Sequence, residues 1–443
     1  MKLLKGNKDI IKLALPISLS IAIPQLNFLT NTAFLGRLGE RELGVNGIAG
    51  IYYLILSMIG YGLSSGVQIQ MARRMGEKNK DGLAETFVNG LMLSIFFSLA
   101  LMMVSMWLAP LIFGFTLHDT QNITHSIDYL FVRLWGLPFL MLTQLLNSFF
   151  ISTKRSRFLI YGSLVTTLTT ILFDYLLIFG NHGFPYLGLK GSAVASFLGE
   201  FGGLLTMAAL FYFHRFYKDF RIHNYLRFDI ELSRKSLNIA LPLIVQFLFS
   251  IGGWQIFFIY VEHLGNKELA ASQILRSIFG IVSIGTWALA TTCNTMVSHT
   301  IGEGKQEQVL PLIGKIAKLS LGYVMIISTL LLCFGEQFLS LYRNDHALIA
   351  LALPSLRVIV LGTVLMSLAT VVFNGVVGTG NTLINLTIEI TCVFTYLIYC
   401  YIVIQRMRLP LAWAWGSEFV YWSSLLTISY LYLRSGRWKG KVI

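Results

Sequence analysis

The chain is 443 residues long, 55% hydrophobic and only 12% charged, with a formal net charge of +13 and a pI near 9.5. Soluble domains carry about 25% charged residues, and a soluble fold holding this much apolar surface would leave large adhesive patches outside. Ordinary soluble domains are therefore excluded. So is a nucleic-acid partner, because the Lys and Arg residues fall between apolar runs, as topology determinants lying against anionic lipid headgroups do.

About 20 predominantly apolar residues make one helical crossing, since only a closed helix satisfies its backbone in hydrocarbon. Twelve such runs are predicted in chain order, at 10–35, 47–72, 87–113, 125–151, 158–180, 189–213, 237–262, 270–299, 311–334, 350–376, 383–405 and 411–433. No small-residue cleavage site follows the first run, so no cleavable signal peptide is expected. Pro16 and Pro24 should break the hydrogen-bond ladder of span one, and Pro242 that of span seven. With Gln25, Asn27, Thr30 and Asn31 nearby, span one reads as a kinked, polar-faced helix able to switch between two cavity shapes. In span seven, Trp254, Phe257, Phe258 and Tyr260 are candidate cation–π surface. Cys293, Cys333, Cys392 and Cys400 lie in apolar stretches without a C-x-x-C pair, as small buried hydrophobes do.

The loops assign orientation. One side collects Lys2, Lys5, Lys8, Arg73, Arg74, Lys78, Lys80, Lys154, Arg155 and Arg157, the basic residues of 214–236, and Arg434, Arg437, Lys439 and Lys441. That side holds roughly three times the Lys and Arg of the other, which puts both termini in the cytoplasm of a multi-pass plasma or inner membrane protein.

The two halves repeat at an offset of 226. Leu13-Ala14-Leu15-Pro16 matches Ile239-Ala240-Leu241-Pro242, and Leu38-Gly39-x-x-Glu42-Leu43 matches Leu264-Gly265-x-x-Glu268-Leu269. Gly76-Glu77 falls on Gly302-Glu303, Gly136 on Gly362, and Thr153 on Thr379. In the last spans, after a small shift, Gly199-Glu200-Phe201 meets Ser417-Glu418-Phe419. The expected organisation is an amino-terminal six-helix lobe (1–213), a cytoplasmic connector (214–236) and a carboxy-terminal six-helix lobe (237–443). With six spans each, the lobes are parallel repeats, a transporter architecture. The fold class is thus an all-α integral membrane protein of about twelve transmembrane helices in two parallel repeats.

The residues that carry the repeat also resemble the multidrug and toxic compound extrusion (MATE) family, within the superfamily that includes oligosaccharide-lipid flippases. The matching pieces are Leu15-Pro16, Phe34-Leu35-Gly36-Arg37-Leu38-Gly39, Arg73-Arg74-Met75-Gly76-Glu77, Gly136-Leu137-Pro138-Phe139 and Leu172-Phe173-Asp174. Further pieces are Gly191-Ser192-Ala193-Val194-Ala195-Ser196, Leu269-Ala270-Ala271-Ser272-Gln273-Ile274, Ile301-Gly302-Glu303-Gly304 and Gly378-Thr379-Gly380-Asn381-Thr382. The resemblance implies a two-lobe exporter, acting as a monomer, that exchanges small organic, often cationic compounds for inward Na⁺ or H⁺, with no other cofactor and no metal. It also implies that Asp174 is an acid of the amino-terminal-lobe cation site. Asn31 then stands where the family usually has a second acid, Thr170 where it often has Asn, and Ser196 at a family hydroxyl position.

Ionisable groups inside a bilayer are functional candidates by default. By depth, Tyr129 can join the Asp174 cluster, and Arg133 is an alternative, structural partner for Asp174. Glu200 has no partner at an evident register and is a candidate proton or cation site. Glu418 is expected to pair with Arg276 or Arg357, as a structural or gating contact, and Glu389 to reach interfacial water. There is no H-E-x-x-H, no G-x-x-x-x-G-K-[ST] and no G-x-G-x-x-G after a strand, so neither an enzyme nor an ATP-driven pump is expected. The second reading is a flippase for lipid-linked oligosaccharide, in which Arg133, Arg276 and Arg357 would meet pyrophosphate. The charge asymmetry predicts that cysteines introduced at Asp219 and Asn344 in a Cys-free background label from opposite sides of the membrane; labelling of both from outside would contradict the topology.

Overall fold

A computed structural model of the chain describes residues 6–342 and 346–440; Lys2, Lys5, Asn344 and Lys441 lie outside the described residues. The first half holds helices α1 (Asn7–Leu38), α2 (Glu40–Gly76), α3 (Lys80–Thr116), α4 (Thr120–Leu134), α5 (Leu137–Ser152), α6 (Arg157–Phe179), α7 (Leu189–Phe213) and α8 (Phe216–Asp219). The second holds α9 (Ile230–Glu262), α10 (Asn266–Gly302), α11 (Val309–Cys333), α12 (Gly335–Tyr342), α13 (His346–Gly378), α14 (Thr382–Cys400), α15 (Leu411–Trp415) and α16 (Ser417–Ser435). No strand occurs among the described residues.

Among the described residues, ten helical segments are long and apolar enough to cross a bilayer, and α4 with α5, bent by 46°, make an eleventh. The twelfth expected span departs from expectation. Residues 411–433 are helical but broken at Gly416, and Glu418, Ser423, Ser424, Thr427 and Ser429 dilute their hydropathy below that of the other spans. The outward faces are apolar: on α3 a stripe of Phe96, Leu99, Met103, Trp107 and Leu111 recurs every three or four residues, with Trp107 72% exposed. Water would not tolerate such a stripe, but lipid solvates it. The protein is an all-α integral membrane protein.

The repeat is visible in the elements themselves. Helices α2 and α10 begin at Glu40 and Asn266 and end at Gly76 and Gly302, the same offset of 226 at both ends. Each is entered through a glycine, Gly39 or Gly265, where a Cβ would collide with the Glu42 or Glu268 carboxylate. That collision explains the Leu-Gly-x-x-Glu-Leu signature: the glutamate of the first turn folds back over the cap. The fourth span of each half begins at Thr120 or His346 and ends at Ser152 or Gly378. In the first half it breaks at Trp135–Gly136, because Pro138 has no N–H for the Leu134 carbonyl. In the second, Val364 stands at the corresponding place and α13 runs unbroken.

The prolines of the first helix interrupt its hydrogen-bond ladder, as expected, without ending the helix. Helix α1 continues through Pro16 and Pro24. Pro24 deprives the Ser20 carbonyl of its helical donor, and the Ser163 hydroxyl on α6 supplies one at 3.1 Å.

The chain divides into two compact units, Leu19–Ile244 and Met1–Ser18 with Val245–Ile443. The start of α9 belongs to the first unit because its backbone docks into a glycine notch on α2. A Cβ at Gly62 would meet the Ile244 backbone at 2.9 Å, and one at Gly66 the Ala240 backbone at 2.8 Å. The Asp229 amide and the Ser233 hydroxyl both donate to Asn89 Oδ1, at 2.8 and 3.1 Å. The 214–236 connector is therefore folded. Phe216, Phe220 and Ile222 are buried, and Phe216 packs on Phe149, Phe150 and Phe158. Three cysteines are buried as expected, but Cys333, at the end of α11, is exposed.

Within the first unit, α6 and α7 lie unusually close along a glycine seam. A Cβ at Gly191 would lie 2.6 Å from the Leu177 carbonyl oxygen, and one at Gly199 2.8 Å from that of Thr166. Close approach through small residues is how membrane helices gain packing energy. Gly199→Val should lower thermal stability in detergent by about 1–3 kcal/mol, while Gly202→Ala, on the same helix with 3.5 Å to its nearest neighbour, should leave it unchanged; equal melting of the two variants would refute the seam.

Candidate ion-coupling site

The glycine seam sets the depth at which α6 and α7 side chains meet. Asp174 stands five residues before the end of α6, level with Ser192 near the start of the returning helix α7. Asn31, from α1, donates its Nδ2 hydrogens to Asp174 Oδ2 at 2.9 Å and to Ser192 Oγ at 2.7 Å. Asp174 is fully buried, and its second oxygen, Oδ1, has no hydrogen-bond partner among the described residues. Ser192 is also within hydrogen-bonding reach of Tyr129, whose hydroxyl donates to Asn46 Oδ1 at 2.8 Å.

Two of the expected partners stand elsewhere. Ser196, one turn further along α7, is half-buried and makes no side-chain hydrogen bond among the described residues; Ser192 is the hydroxyl at the site. Both belong to the Gly191–Ser196 stretch, and counting depth from the helix ends singles out Ser192. Thr170 donates to the Thr166 carbonyl at 2.8 Å and packs against Gly199, with no bond to Asp174.

A second polar centre lies two turns further along α7. Arg133 Nη1 is 2.8 Å from Glu200 Oε1, the Tyr53 hydroxyl donates to Oε2 at 2.9 Å, and the guanidinium lies 4.0 Å from the centre of the Tyr53 ring. This corrects two expectations. Glu200 has a full set of partners, and Arg133 is engaged with Glu200 rather than with Asp174. The break between α4 and α5 makes the room, since a Cβ at Gly136 would collide with Glu200 Oε2. Tyr53 carried no signal in sequence, being one aromatic among many in an apolar helix.

In the second unit, Glu418 packs against Gly362, the repeat mate of Gly136, and accepts a hydrogen bond from Trp422 Nε1 at 2.7 Å. The expected ion pair is not formed. Arg276 lies 5.4 Å from the Phe258 ring centre and Arg357 is exposed. The reason is local: α16 supplies its own donor one turn after the acid. Glu389 is buried rather than interfacial and accepts from Ser250 and, at 2.8 Å, from Tyr421. Of the span-seven aromatics, Phe257 and Phe258 are buried against Trp415, so they belong to the core. No group of three metal-binding side chains occurs among the described residues.

The sequence pattern of the MatE family matches residues 16–176 and matches again over 242–402, with the same offset of 226. The chain belongs to the MatE family. Among curated relatives, a probable multidrug resistance protein NorM from Thermotoga maritima is 24% identical over 441 residues, covering 98% of this chain and 94% of its own. Another protein of that description, from Synechocystis sp., is 26% identical over 358 residues, 77% of this chain and 74% of its own. A solved structure described as the outward-facing conformation of a multidrug resistance MATE family transporter of the MOP superfamily superposes with a TM-score of 0.89. It is 17% identical, and each chain is covered over 100% of its length, so the shared feature is the MatE fold.

A carboxylate buried with its guanidinium is strongly destabilising once that partner is removed. Arg133→Met should therefore lower stability by about 3–5 kcal/mol, and Arg133→Met with Glu200→Gln should recover most of it; melting curves of the purified variants decide, and a double variant no better than the single would refute the pairing.

Proposed function

We propose that the protein is a proton-coupled exporter of small organic, cationic compounds, a multidrug carrier rather than an enzyme, working by alternating access with both termini in the cytoplasm. The observation that carries this reading is the second oxygen of Asp174. A carboxylate buried without a cation is expensive in hydrocarbon and is relieved by taking a proton. Oδ1 is buried and unpartnered, so a proton bound there displaces nothing. A sodium ion would need several oxygen ligands, whereas Asn31 turns its NH2 group, a donor, toward both Asp174 and Ser192. Family membership and the descriptions of the relatives support the exporter part of the reading.

The chemistry follows from the exchange. With Asp174 ionised, Asn31 and Ser192 are held on the carboxylate, and α1, α6 and α7 are tied together at that depth. Protonation removes the charge those donors answer and loosens the tie on α1. A helix whose position depends on the charge of one carboxylate can link proton entry to a change of access. The flippase reading has less support, because one of its three arginines, Arg133, already neutralises Glu200.

Asp174→Asn should reach the membrane and bind substrate normally, yet reduce dye efflux from overexpressing cells to the level of cells lacking the protein. Collapsing the proton gradient alone should stop export by the unaltered chain. Export that survives loss of the proton gradient and fails with the sodium gradient would overturn the proton assignment.

A further inference from the structure

The two halves use the same helical seam differently. In the first half, α1 meets α6 where Ser163 repairs the Ser20 carbonyl freed by Pro24, and the acid, Asp174, lies three turns further along α6. At the offset of 226, Pro24 becomes Ser250, Ser20 becomes Gln246, Ser163 becomes Glu389 and Asp174 becomes Cys400. Asn31 becomes Phe257, which is fully buried. The place of the first-half acid is thus apolar in the second half. A different acid stands eleven residues earlier on α14, roughly 16 Å along the helix axis.

That acid occupies a built site. Gln246 and Ser250 are one turn apart on α9, and Asn385 and Glu389 are one turn apart on α14; Asn385 donates to Gln246 and Ser250 to Glu389, making two polar rungs. Glu389 is 1% exposed, Asn385 is fully buried, and Asn385 Oδ1 has no partner among the described residues. Ser250 and Tyr421 both donate to Glu389 Oε1, and Oε2 accepts no hydrogen bond among the described residues. Around the acid, α16 presents Tyr421 and, one turn earlier, Glu418. Helix α14 itself adds Cys392 and Tyr396, and α13 only the exposed Arg357. Helix α9 carries no charged residue between Lys235 and Glu262. No cation lies within ion-pairing distance of Glu389 among the described residues.

We propose that Glu389 is a second proton-binding site, in the second half of the chain, which takes one proton on Oε2 while Oε1 remains the carbonyl oxygen held by Ser250 and Tyr421. The proton comes from water and returns to it, and no other group changes. Its use in transport rests on the antiport reading above; the binding of the proton does not. Two acids, one in each half and at different depths, would make the exchange a two-proton event.

Infrared difference spectra of the full chain in lipid nanodiscs, recorded between acid and alkaline pH, read the site without any transport. The expected spectrum has buried carboxylic-acid C=O bands at low pH, of which one is absent in Asp174→Asn and a different one in Glu389→Gln, a variant that keeps the acceptor for Ser250 and Tyr421. Ser250→Ala and Tyr421→Phe should each move the Glu389 band to higher frequency, because a carbonyl relieved of a donor stiffens. Adding Na⁺ at fixed pH should leave the band in place. A Glu389→Gln spectrum that superimposes on the unaltered one, or a band displaced by Na⁺, would overturn the proposal. Loss of ion-driven export in cells with the band intact would instead remove the antiport reading and leave the proton site standing.

Discussion

Hydrocarbon offers no hydrogen bonds, so every backbone polar group placed in it must be answered by another atom of the protein, and a side-chain atom left unanswered is costly. That constraint orders the molecule from the backbone up. Pro24 leaves the Ser20 carbonyl without a donor, and a serine on a neighbouring helix provides one. Glu200 enters the same medium as an ion and is met on both oxygens by Arg133 and Tyr53. Asp174, Glu389 and Glu418 are answered on one oxygen only, which separates the groups that can change their protonation from the one that is fixed.

The glycine seams are what allow these answers to be made. Two helices touching through Gly191 and Gly199 hold α6 and α7 near enough for Asp174 and Ser192 to share one donor. The notch at Gly62 and Gly66 lets α9 begin inside the first compact unit. Small residues therefore do more than fill space: they set the depth at which polar side chains meet.

Much of this was legible in the sequence, and the failures have physical causes. Hydropathy placed eleven of the twelve expected spans among the described residues, since a helix facing lipid must be apolar along its length; the twelfth, at α16, is diluted by polar residues both buried, Glu418 and Ser429, and exposed, Ser423 and Thr427. The offset of 226 was readable because Gly39 and Gly265 stand at matching helix entries, each with a first-turn glutamate folded over it. Partner choice was not readable. Pairing Glu418 with an arginine counted charges at similar depth and missed that Trp422 lies one turn away on the same helix. Glu200 looked unpartnered because Arg133 reaches it across a break in its own span. The resemblance singled out Ser196, whereas antiparallel helices align residues by distance from the shared loop, which brings Ser192 to Asn31.

The fourth span of the first half is jointed and that of the second is a single rod. Helix α13, at 33 residues, carries Pro354 in its third turn and no further break, so the roughly 36 Å beyond that proline holds no joint at which a tilt could be taken up. The α4–α5 joint at Gly136 instead absorbs such a tilt locally, and the atom lodged in that joint is a carboxylate oxygen of Glu200. Leverage in the two halves is therefore unequal: the first half has a joint at this position with an ion pair lodged in it, and the second half has none there.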